Sequence, residues 1–322
     1  MATAITDSIT TIDGHYQYPG RAAAYLIQDG TEAAFIDNVT RFSVPYLLEA
    51  LAAKGLEPAQ VRYLIVTHIH LDHSGGTAEL ALQCPKAKII CHPRAVRHIV
   101  DPTKLVASVK SIYGDEAFDR LYGEIGPVEE RRVQSVEDGE TLSLGGRTLT
   151  FFDTPGHARH HIVVQDSATN SMFAGDAFGL CYPGLQKGHR PYLNYVCAPP
   201  QFDPAAAKDT IRRIVETGVD RVFVTHFGQC DAVQEGAEQL IACLDLYDAL
   251  VNDVAEREAE GDALHKECSE RAQTIMQDQL KTCGLDPEDP AVQKWAGAEH
   301  ALTSQGLALL AEQRRKQRGS DS

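Results

Sequence analysis

Four residues in one short run carry side chains that can bind a metal ion. His68, His70, Asp72 and His73 form the pattern His-x-His-x-Asp-His within THIHLDHSGG. Each of these groups needs hydrogen bonds or a cation if it is buried, and a metal ion satisfies all of them together. The run follows the apolar stretch VRYLIV, which predicts a buried strand, so a short turn would aim the side chains at one point. The pattern therefore predicts a metal site.

Three more potential ligands follow other predicted strands. His157 lies in DTPGH, Asp176 closes SMFAGD, and His226 follows RVFVT. Taken alone, His157 or His226 would more often be a hydrogen-bonded structural histidine. Their shared position at the C-terminal ends of strands, where open α/β sheets place their sites, favours metal binding. Imidazole and carboxylate ligands suit Zn²⁺, Fe²⁺ or Mn²⁺.

The elements that would position these ligands are short strands alternating with helices, which favours an α/β fold. A helix over 44–55 is expected to end at Gly55. Two strands are expected around Asp138-Gly139 and Gly145-Gly146, and a mainly helical stretch is expected up to about residue 125. The other predicted strands are near 22–28, 32–37, 61–66, 86–92, 161–166, 171–176 and 221–228.

The composition changes after about residue 230, and this predicts two domains, 1–230 and 231–322. The stretch 231–282 is rich in Ala, Glu, Gln and Leu and lacks proline, so it predicts two helices broken near Gly261-Asp262. Four apolar residues share one face of the first helix: Leu240, Leu244, Tyr247 and Leu250. A third helix is expected to run to about residue 316. These helices would cover an active site, form a dimer interface, or do both.

The net charge of −15 argues against a nucleic-acid-binding surface. No apolar run approaches the roughly 18 residues that a membrane helix needs. Eight cysteines are scattered without a Cys-x-x-Cys pair, and MATAITDSIT lacks the features of a signal peptide. We therefore expect a cytoplasmic protein with reduced thiols, a small-molecule substrate, and no nucleic-acid or membrane partner.

The segments THIHLDHSGG, DTPGH, FAGDAFG and VTHFG resemble those of the metallo-β-lactamase-fold hydrolases. The resemblance, over about residues 20 to 230, implies a four-layer αβ/βα sandwich with an α-helical C-terminal extension and two divalent ions per chain. Zn²⁺ is expected first, with Fe²⁺ or Mn²⁺ as alternatives. The resemblance also implies the ligands: His68, His70 and His157 for the first ion, Asp72, His73 and His226 for the second, and Asp176 between them.

Two comparisons within that superfamily narrow the expected substrate. The appended helices are similar to those of the thioesterase-like members of quinolone pathways, whereas the Cys-Gly-His-Glu segment of glyoxalase II is missing. Asp176 stands where the β-lactamases of this fold usually have cysteine, which argues against antibiotic hydrolysis. The resemblance thus implies a hydrolase that uses a hydroxide shared by two ions to attack an ester, thioester or lactone of a small organic acid.

Asp72 is the candidate catalytic residue, because a carboxylate ligand can also accept the nucleophile's proton. Thr67 and Asp153 are candidates for orienting the imidazoles. The long loop 177–202 is rich in Tyr, Pro and Gly, and loops of this length are often functional. The candidate substrate-contacting residues are His161, Tyr182, His189, Tyr192 and Tyr195.

Two other functions stay open at this point. One is a phosphodiesterase of the same fold, although the long insertion of the nucleic-acid-processing members is absent. The other is a non-hydrolytic di-iron sensor or regulatory protein. The flavodiiron relatives place a glutamate where His70 stands and add a flavodoxin domain, so the sequence favours the hydrolase over this alternative.

Overall fold

The computed structural model describes residues 2–6, 8–257 and 260–320. The chain divides into two compact units, and each is described by itself below. The first unit consists of Met1–Thr154, His160–Gly175 and Arg221–Gly228. The second unit consists of Pro155–Arg159, Asp176–Asp220 and Gln229–Ser322. The predicted boundary at residue 230 stays a prediction.

The first unit contains a seven-stranded sheet whose strands lie side by side in chain order. Neighbouring strands are antiparallel from β1 to β4 and parallel from β4 to β7. The strands are β1 (Ala2–Thr6), β2 (Ile9–Asp13), β3 (Ala23–Asp29), β4 (Glu32–Ile36), β5 (Val61–Ile65), β6 (Lys88–Cys91) and β7 (Val133–Ser135). Strands β1 and β2 were not among the predicted strands.

A second sheet has the strand order β13-β12-β11-β10-β9-β8. Strand β10 is antiparallel to β9 and β11, whereas β11 and β12 are parallel. Its strands are β8 (Thr141–Leu144), β9 (Arg147–Asp153), β10 (Ile162–Asp166), β11 (Ser171–Gly175), β12 (Arg221–Val224) and β13 (Gly228–Cys230). The region around Asp138-Gly139 and Gly145-Gly146 thus holds three strands, β7 to β9, where two were expected.

Alternation of side chains along the strands gives the first unit two apolar layers. Tyr25 and Ile27 point from β3 toward Phe151 and Phe173 of the second sheet, forming the core between the sheets. Leu26, their neighbour on β3, points to the opposite face, where helices cover the sheet. The helices of this unit are α1 (Val44–Ala53), α2 (Leu71–Ser74), α3 (Thr77–Gln83), α4 (Val96–Val100), α5 (Thr103–Tyr113) and α6 (Asp115–Leu121).

The second unit is mainly helical. Its helices are α7 (Pro204–Glu216), α8 (Val233–Ala255), α9 (Gly261–Thr282), α10 (Pro290–Ala296) and α11 (His300–Ser320). The predicted apolar face of α8 is buried, and α9 begins at the predicted break. The predicted third helix is instead two helices, because a 3₁₀ turn at Gly297–Glu299 separates α10 from α11. Together the two sheets and these helices confirm the predicted α/β sandwich with a helical extension.

Within the described ranges, no helix combines the length and apolar character that crossing a membrane requires.

A buried ion pair stabilises the second sheet at the start of β9. Arg147 Nη1 lies 2.8 Å from Asp166 Oδ2, and both side chains are almost fully buried. Asp166 also accepts a hydrogen bond from the Thr169 hydroxyl. A buried charge that loses its partner is costly because water cannot replace the lost interaction.

We expect Asp166→Ala to lower the free energy of unfolding by about 3–5 kcal/mol, because it leaves the Arg147 guanidinium buried without its carboxylate. The matched control is Asp209→Ala, which removes one carboxylate from the exposed Arg212–Asp209 pair. That change should alter stability by less than about 1 kcal/mol. Urea unfolding monitored by circular dichroism measures both, and similar losses for the two variants would contradict the assignment.

Candidate metal centre

The His-x-His-x-Asp-His run leaves the first sheet after β5 and enters the short helix α2. His68 and His70 precede the helix, and Asp72 and His73 lie within it. The amide of Asn38 donates a hydrogen bond to the His73 carbonyl, so the run is fixed to the segment that follows β4. His68 and His73 are buried, whereas Asp72 retains some exposure. The sequence thus places three imidazoles and a carboxylate at one end of the first sheet.

Asp72, His73 and His226 form a three-ligand group in the first unit, with ligand atoms all within 4.8 Å of one another. Asp72 Oδ1 lies 3.5 Å from His73 Nε2, and Asp72 Oδ2 lies 3.4 Å from His226 Nε2. Ligand atoms around a tetrahedral zinc ion, with bonds of about 2.0–2.1 Å, are separated by roughly 3.4 Å. Both the donor types and their spacing therefore fit a divalent metal ion.

His68 and His70 form a second pair of donors, with His68 Nε2 3.1 Å from His70 Nδ1. The Thr67 hydroxyl lies 3.1 Å from His68 Nδ1 and also contacts both carboxylate oxygens of Asp37. Because the hydroxyl proton goes to the carboxylate, its oxygen accepts the Nδ1 proton of His68. This tautomer leaves the Nε2 lone pair of His68 available to a metal. Thr67 therefore has the orienting role that its position predicts.

Backbone contacts orient His226 in the same way. His226 Nδ1 lies 2.7 Å from the Arg21 carbonyl oxygen and donates a hydrogen bond to it. A histidine that donates through one ring nitrogen presents the other as a ligand, and such partners are usual behind metal-bound imidazoles. The Nε2 atom of His226 is the one that faces Asp72. The ring is thus held in the tautomer that metal binding requires.

Asp37 is a buried carboxylate beneath these ligands, and no motif in the sequence pointed to its role. Its Oδ1 accepts a hydrogen bond of 2.8 Å from the Thr67 amide, and its Oδ2 accepts one of 3.0 Å from the Thr225 hydroxyl. Oδ2 also lies 4.0 Å from His73 Nδ1. Burial raises the pKa of Asp37 to about 6, although His73 and these hydrogen bonds oppose the shift. Asp37 therefore links the residues that precede two predicted ligands, His68 and His226.

Asp153, the other residue expected to orient an imidazole, has a different partner. Its Oδ1 lies 3.2 Å from Nε2 of His92, a histidine outside the predicted ligand set. The Asp153 side chain is 46% exposed, whereas that of Asp37 is buried. An orienting role of Asp153 toward a predicted ligand stays a prediction.

His157 and Asp176, the remaining predicted ligands, meet in the second unit. His157 Nε2 lies 3.4 Å from Asp176 Oδ2, and both side chains are buried. Gly156 determines the path of the backbone before His157. It has a φ of +134°, and a Cβ there would lie only 2.4 Å from the Cα of Ala207 in α7. Only glycine allows this close approach, which explains the Pro-Gly-His sequence.

His161, a predicted substrate residue, is fully buried in the first unit. Its ring centroid lies 4.9 Å from that of His68, and its Nδ1 lies 2.9 Å from the Thr154 hydroxyl. A Cβ on Gly175 would lie only 2.6 Å from Nε2 of His161, so glycine is needed at this position. The structure places His161 beside a predicted ligand, and its contact with substrate stays a prediction.

The other predicted substrate residues lie in the second unit. The Tyr182 hydroxyl donates a 2.9 Å hydrogen bond to Glu299, and its ring packs against Trp295. Tyr192 and Tyr195 are buried, and burial raises the pKa of both phenols. His189 is exposed. Contact of these four residues with a substrate stays a prediction.

Solved structures with the same fold cover nearly the whole chain. A metallo-β-lactamase family protein from Thermus thermophilus, TTHA1429, has a TM-score of 0.63 at 21% identity, covering 98% of this chain and 95% of that one. The archaeal superfamily protein ST1585 from Sulfolobus tokodaii has a TM-score of 0.61 at 21% identity, covering 93% and 98%. At this identity the likeness shows the fold.

Curated relatives carry several functions. The metallo-beta-lactamase fold-containing protein ST1585 of Sulfurisphaera tokodaii is 30% identical over 173 residues, which are 52% of this chain and 60% of the relative. A coenzyme F420H2 oxidase of Methanothermobacter marburgensis is 31% identical over 167 residues, 50% of this chain and 35% of the oxidase. The matches to these two relatives thus span less than two thirds of their length. The acyl-coenzyme A thioesterase MBLAC2 of Gallus gallus is 27% identical over 238 residues, covering 70% and 77%.

The model of the metallo-beta-lactamase superfamily matches residues 18–226 of the 322. The matched stretch contains all seven predicted ligands and the strands from β3 to β12. Members of this superfamily bind divalent metals, which agrees with the group of Asp72, His73 and His226 in the first unit. On this match, the chain belongs to the metallo-β-lactamase superfamily.

Proposed function

We propose that this protein is a dinuclear metal-dependent hydrolase that cleaves an ester, thioester or lactone of a small organic acid. The observation that carries the proposal is the group formed by Asp72, His73 and His226, whose donor types and spacing fit a divalent ion. The pair of His68 and His70, 3.1 Å apart, supplies the further donors that a second ion needs.

The proposed ligand assignment follows the superfamily. His68 and His70 would bind one ion together with His157, and Asp72, His73 and His226 would bind the other. Asp176 would bridge the two. What supports the assignments of His157 and Asp176 is the 3.4 Å contact between them, which brings an imidazole and a carboxylate together. Zn²⁺ is the expected metal, with Fe²⁺ or Mn²⁺ as alternatives, because all seven ligands are imidazoles or carboxylates.

When bound, two such ions would supply an acidified water as nucleophile and an electrophile for the carbonyl oxygen of the substrate. The protein's own part begins with Asp72, whose carboxylate is 22% exposed while His73 and His226 beside it are buried. A partly exposed carboxylate can receive the nucleophile's proton and pass it to water. Thr67 and the Arg21 carbonyl keep His68 and His226 in the tautomers that leave Nε2 free of protons.

The choice of an acyl substrate is supported by the thioesterase MBLAC2, whose match covers most of both chains. The predicted substrate residues of the second unit, Tyr182, His189, Tyr192 and Tyr195, would then contact the acyl or leaving group. A second candidate, a di-iron redox protein, is favoured by the match to coenzyme F420H2 oxidase. That match spans only 35% of the oxidase, so the thioesterase relative gives the stronger support.

We expect metal-dependent turnover of one substrate class from a panel of an acyl-CoA, an aryl thioester, a homoserine-type lactone and a bis-aryl phosphodiester. Activity should disappear after chelation and return with Zn²⁺, Mn²⁺ or Fe²⁺, since the nucleophile depends on the bound ions. Metal content is measured in the same samples by mass spectrometry. Turnover of the phosphodiester alone would replace the acyl proposal, and two bound irons without any turnover would favour the redox candidate.

Replacing Asp72 by asparagine should lower kcat about 100-fold or more, because the neutral amide cannot accept the proton and has no negative charge to stabilise a bound metal ion. Kinetics are measured at saturating metal, with bound metal quantified. The matched control is Asp209→Asn, which makes the same change in an exposed carboxylate that contacts Arg212. It should stay within about twofold of wild type, because Asp209 lies outside the predicted site. Full turnover by Asp72→Asn with two ions bound would exclude the proton-accepting role.

Replacing Asp37 by asparagine should weaken metal binding about 10–100-fold, because the residues behind metal ligands tune affinity to this extent. The amide keeps the shape of the carboxylate but cannot accept hydrogen bonds at both positions from Thr67 and Thr225. Titration against a chromophoric chelator measures the affinity, with Asp209→Asn again as the control. Equal affinities in all three proteins would show that Asp37 does not act on the ligands.

A further inference from the structure

A cavity of about 510 Å³ opens in the first unit, apart from the seven predicted ligands. Its volume lies within the roughly 300–1,000 Å³ range that is usual for small-molecule sites. Three segments that are distant in the chain form its wall: the loop after β2, the segment leading into α1, and the end of α6. We call it the His15 pocket. Its lining residues are Gly14, His15, Tyr16, Gln17, Thr40, Phe42, Tyr46, Arg120 and Leu121.

Aromatic rings dominate the wall of the His15 pocket. The ring of His15 lies 4.4 Å from that of Tyr46, centroid to centroid, with an angle of 31° between the planes. Phe42 is 53% exposed and Tyr46 is 40% exposed, which makes them two of the few large apolar side chains that the described residues leave open to solvent. Rings held at the surface around a cavity suit a planar ligand, which can stack on them.

The loop that carries His15 has an unusual backbone. His15 has a φ of +53° and Gln17 a φ of +60°, a conformation that residues with a side chain rarely adopt. The buried carboxylate of Asp13 holds the loop, accepting hydrogen bonds from the amides of His15 and Gly20. Such conformations persist where surrounding structure fixes them, and they cluster at ligand sites. Here the fixed loop presents the His15 ring to the pocket.

The lining of the His15 pocket carries a positive charge, whereas the chain as a whole is negative. Arg120 lines the His15 pocket, and none of the lining residues is acidic. The whole chain has a net charge of −15. A guanidinium at the edge of a ring-lined cavity, with no carboxylate among the lining residues to neutralise it, attracts an anion and can bind a carboxylate or phosphate through two hydrogen bonds.

The loop that carries His15 also contacts a predicted metal ligand. Tyr16 lines the cavity, and its hydroxyl lies 3.0 Å from the hydroxyl of Tyr122. Further along the same loop, the Arg21 carbonyl accepts a hydrogen bond of 2.7 Å from Nδ1 of His226. One loop therefore forms part of the pocket wall and orients a predicted ligand.

We propose that the His15 pocket binds a planar aromatic group that carries a carboxylate or phosphate, and that this group is the part of the substrate that determines specificity. The ring would stack on His15, Phe42 and Tyr46, and the anion would bind Arg120. The role in specificity rests on the proposed hydrolase function, whereas the binding of a planar anion does not.

Calorimetric titration of the metal-loaded protein with matched probes tests the binding. The probes are 2-naphthoate, which is planar and anionic, 2-naphthamide, which is planar and neutral, and cyclohexanecarboxylate, which is anionic and not planar. AMP is the fourth probe, and it is planar with a phosphate as its anion. We expect 2-naphthoate or AMP to bind about tenfold or more tightly than the two mismatched probes, and the tighter of the two identifies the anion.

Substitutions locate the bound probe. Arg120→Gln should weaken 2-naphthoate or AMP about three- to tenfold and leave 2-naphthamide unchanged, since it removes a charge-assisted hydrogen bond. Tyr46→Ala should weaken all planar probes. The matched controls are Arg131→Gln and Leu82→Ala, at side chains that are 81% and 74% exposed and lie outside the pocket, and both should bind like wild type. Equal binding of the probes by the pocket variants and wild type, or no binding of either planar anion, would overturn the proposal.

The same variants separate this inference from the proposed hydrolase function. Arg120→Gln should raise KM for an anionic aryl thioester about three- to tenfold, with kcat and the KM of a neutral thioester unchanged. Probe binding that depends on Arg120 in a protein without hydrolase activity would support the pocket and contradict the function. Hydrolysis with an unchanged KM in Arg120→Gln would support the function and contradict the role in specificity.

Discussion

The hydrogen bonds of one buried carboxylate connect the strand ends on which the first unit's ligands depend. Asp37 follows β4, and it accepts hydrogen bonds from Thr67, after β5 in the first sheet, and from Thr225, after β12 in the second. Each threonine immediately precedes a predicted ligand, His68 or His226. Asp37 therefore fixes the ends of two sheets against each other at the point where the imidazoles begin. A buried carboxylate is tolerated there because these donors replace the water that it loses.

Hydrogen-bond partners outside the ligand set extend this arrangement to the tautomers of the histidines. Thr67 accepts the Nδ1 proton of His68, and the Arg21 carbonyl accepts that of His226. Neither partner is itself a ligand, yet each determines which nitrogen is available to a metal. The chemistry of the site thus depends on main-chain and hydroxyl groups whose residue types carry little information by themselves. The predicted ligands carry the resemblance to the superfamily, whereas specificity for a substrate is proposed for the His15 pocket.

The sequence predicted the ligands of the His68 to His73 run because their spacing is local. It also predicted β3 to β6, β10 to β12 and the pair α8 and α9, whose periodicities are clear. Asp37 was not recognised, since its partners are 30 and 188 residues away in the chain. Asp153 was selected by its position alone, and its orienting role stays a prediction. The break between α10 and α11 was missed because it depends on a short 3₁₀ turn without proline.

The His15 pocket was harder still to predict from the sequence. His15 had no supporting context in the sequence, and Phe42, Tyr46 and Arg120 come from other segments of the chain. No linear pattern connects them, because the fold alone brings them together. Only the contacts within the loop are local in sequence. The Asp13 carboxylate accepts hydrogen bonds from the amides of His15 and Gly20, two and seven residues further along the chain. In the sequence, this side-chain to backbone contact is visible only as an aspartate followed by a glycine.

The strand order of the first sheet has a consequence for synthesis on the ribosome. Each strand from β2 to β7 pairs with its predecessor in the chain, so the sheet can grow strand by strand as the polypeptide emerges. Strand β12 likewise pairs with its predecessor β11, after the intervening residues from 176 to 220 have been made. Thr225 and His226 follow β12 in the chain. The strands of the first sheet can therefore pair before His226 emerges, so the group of Asp72, His73 and His226 can form only late in translation.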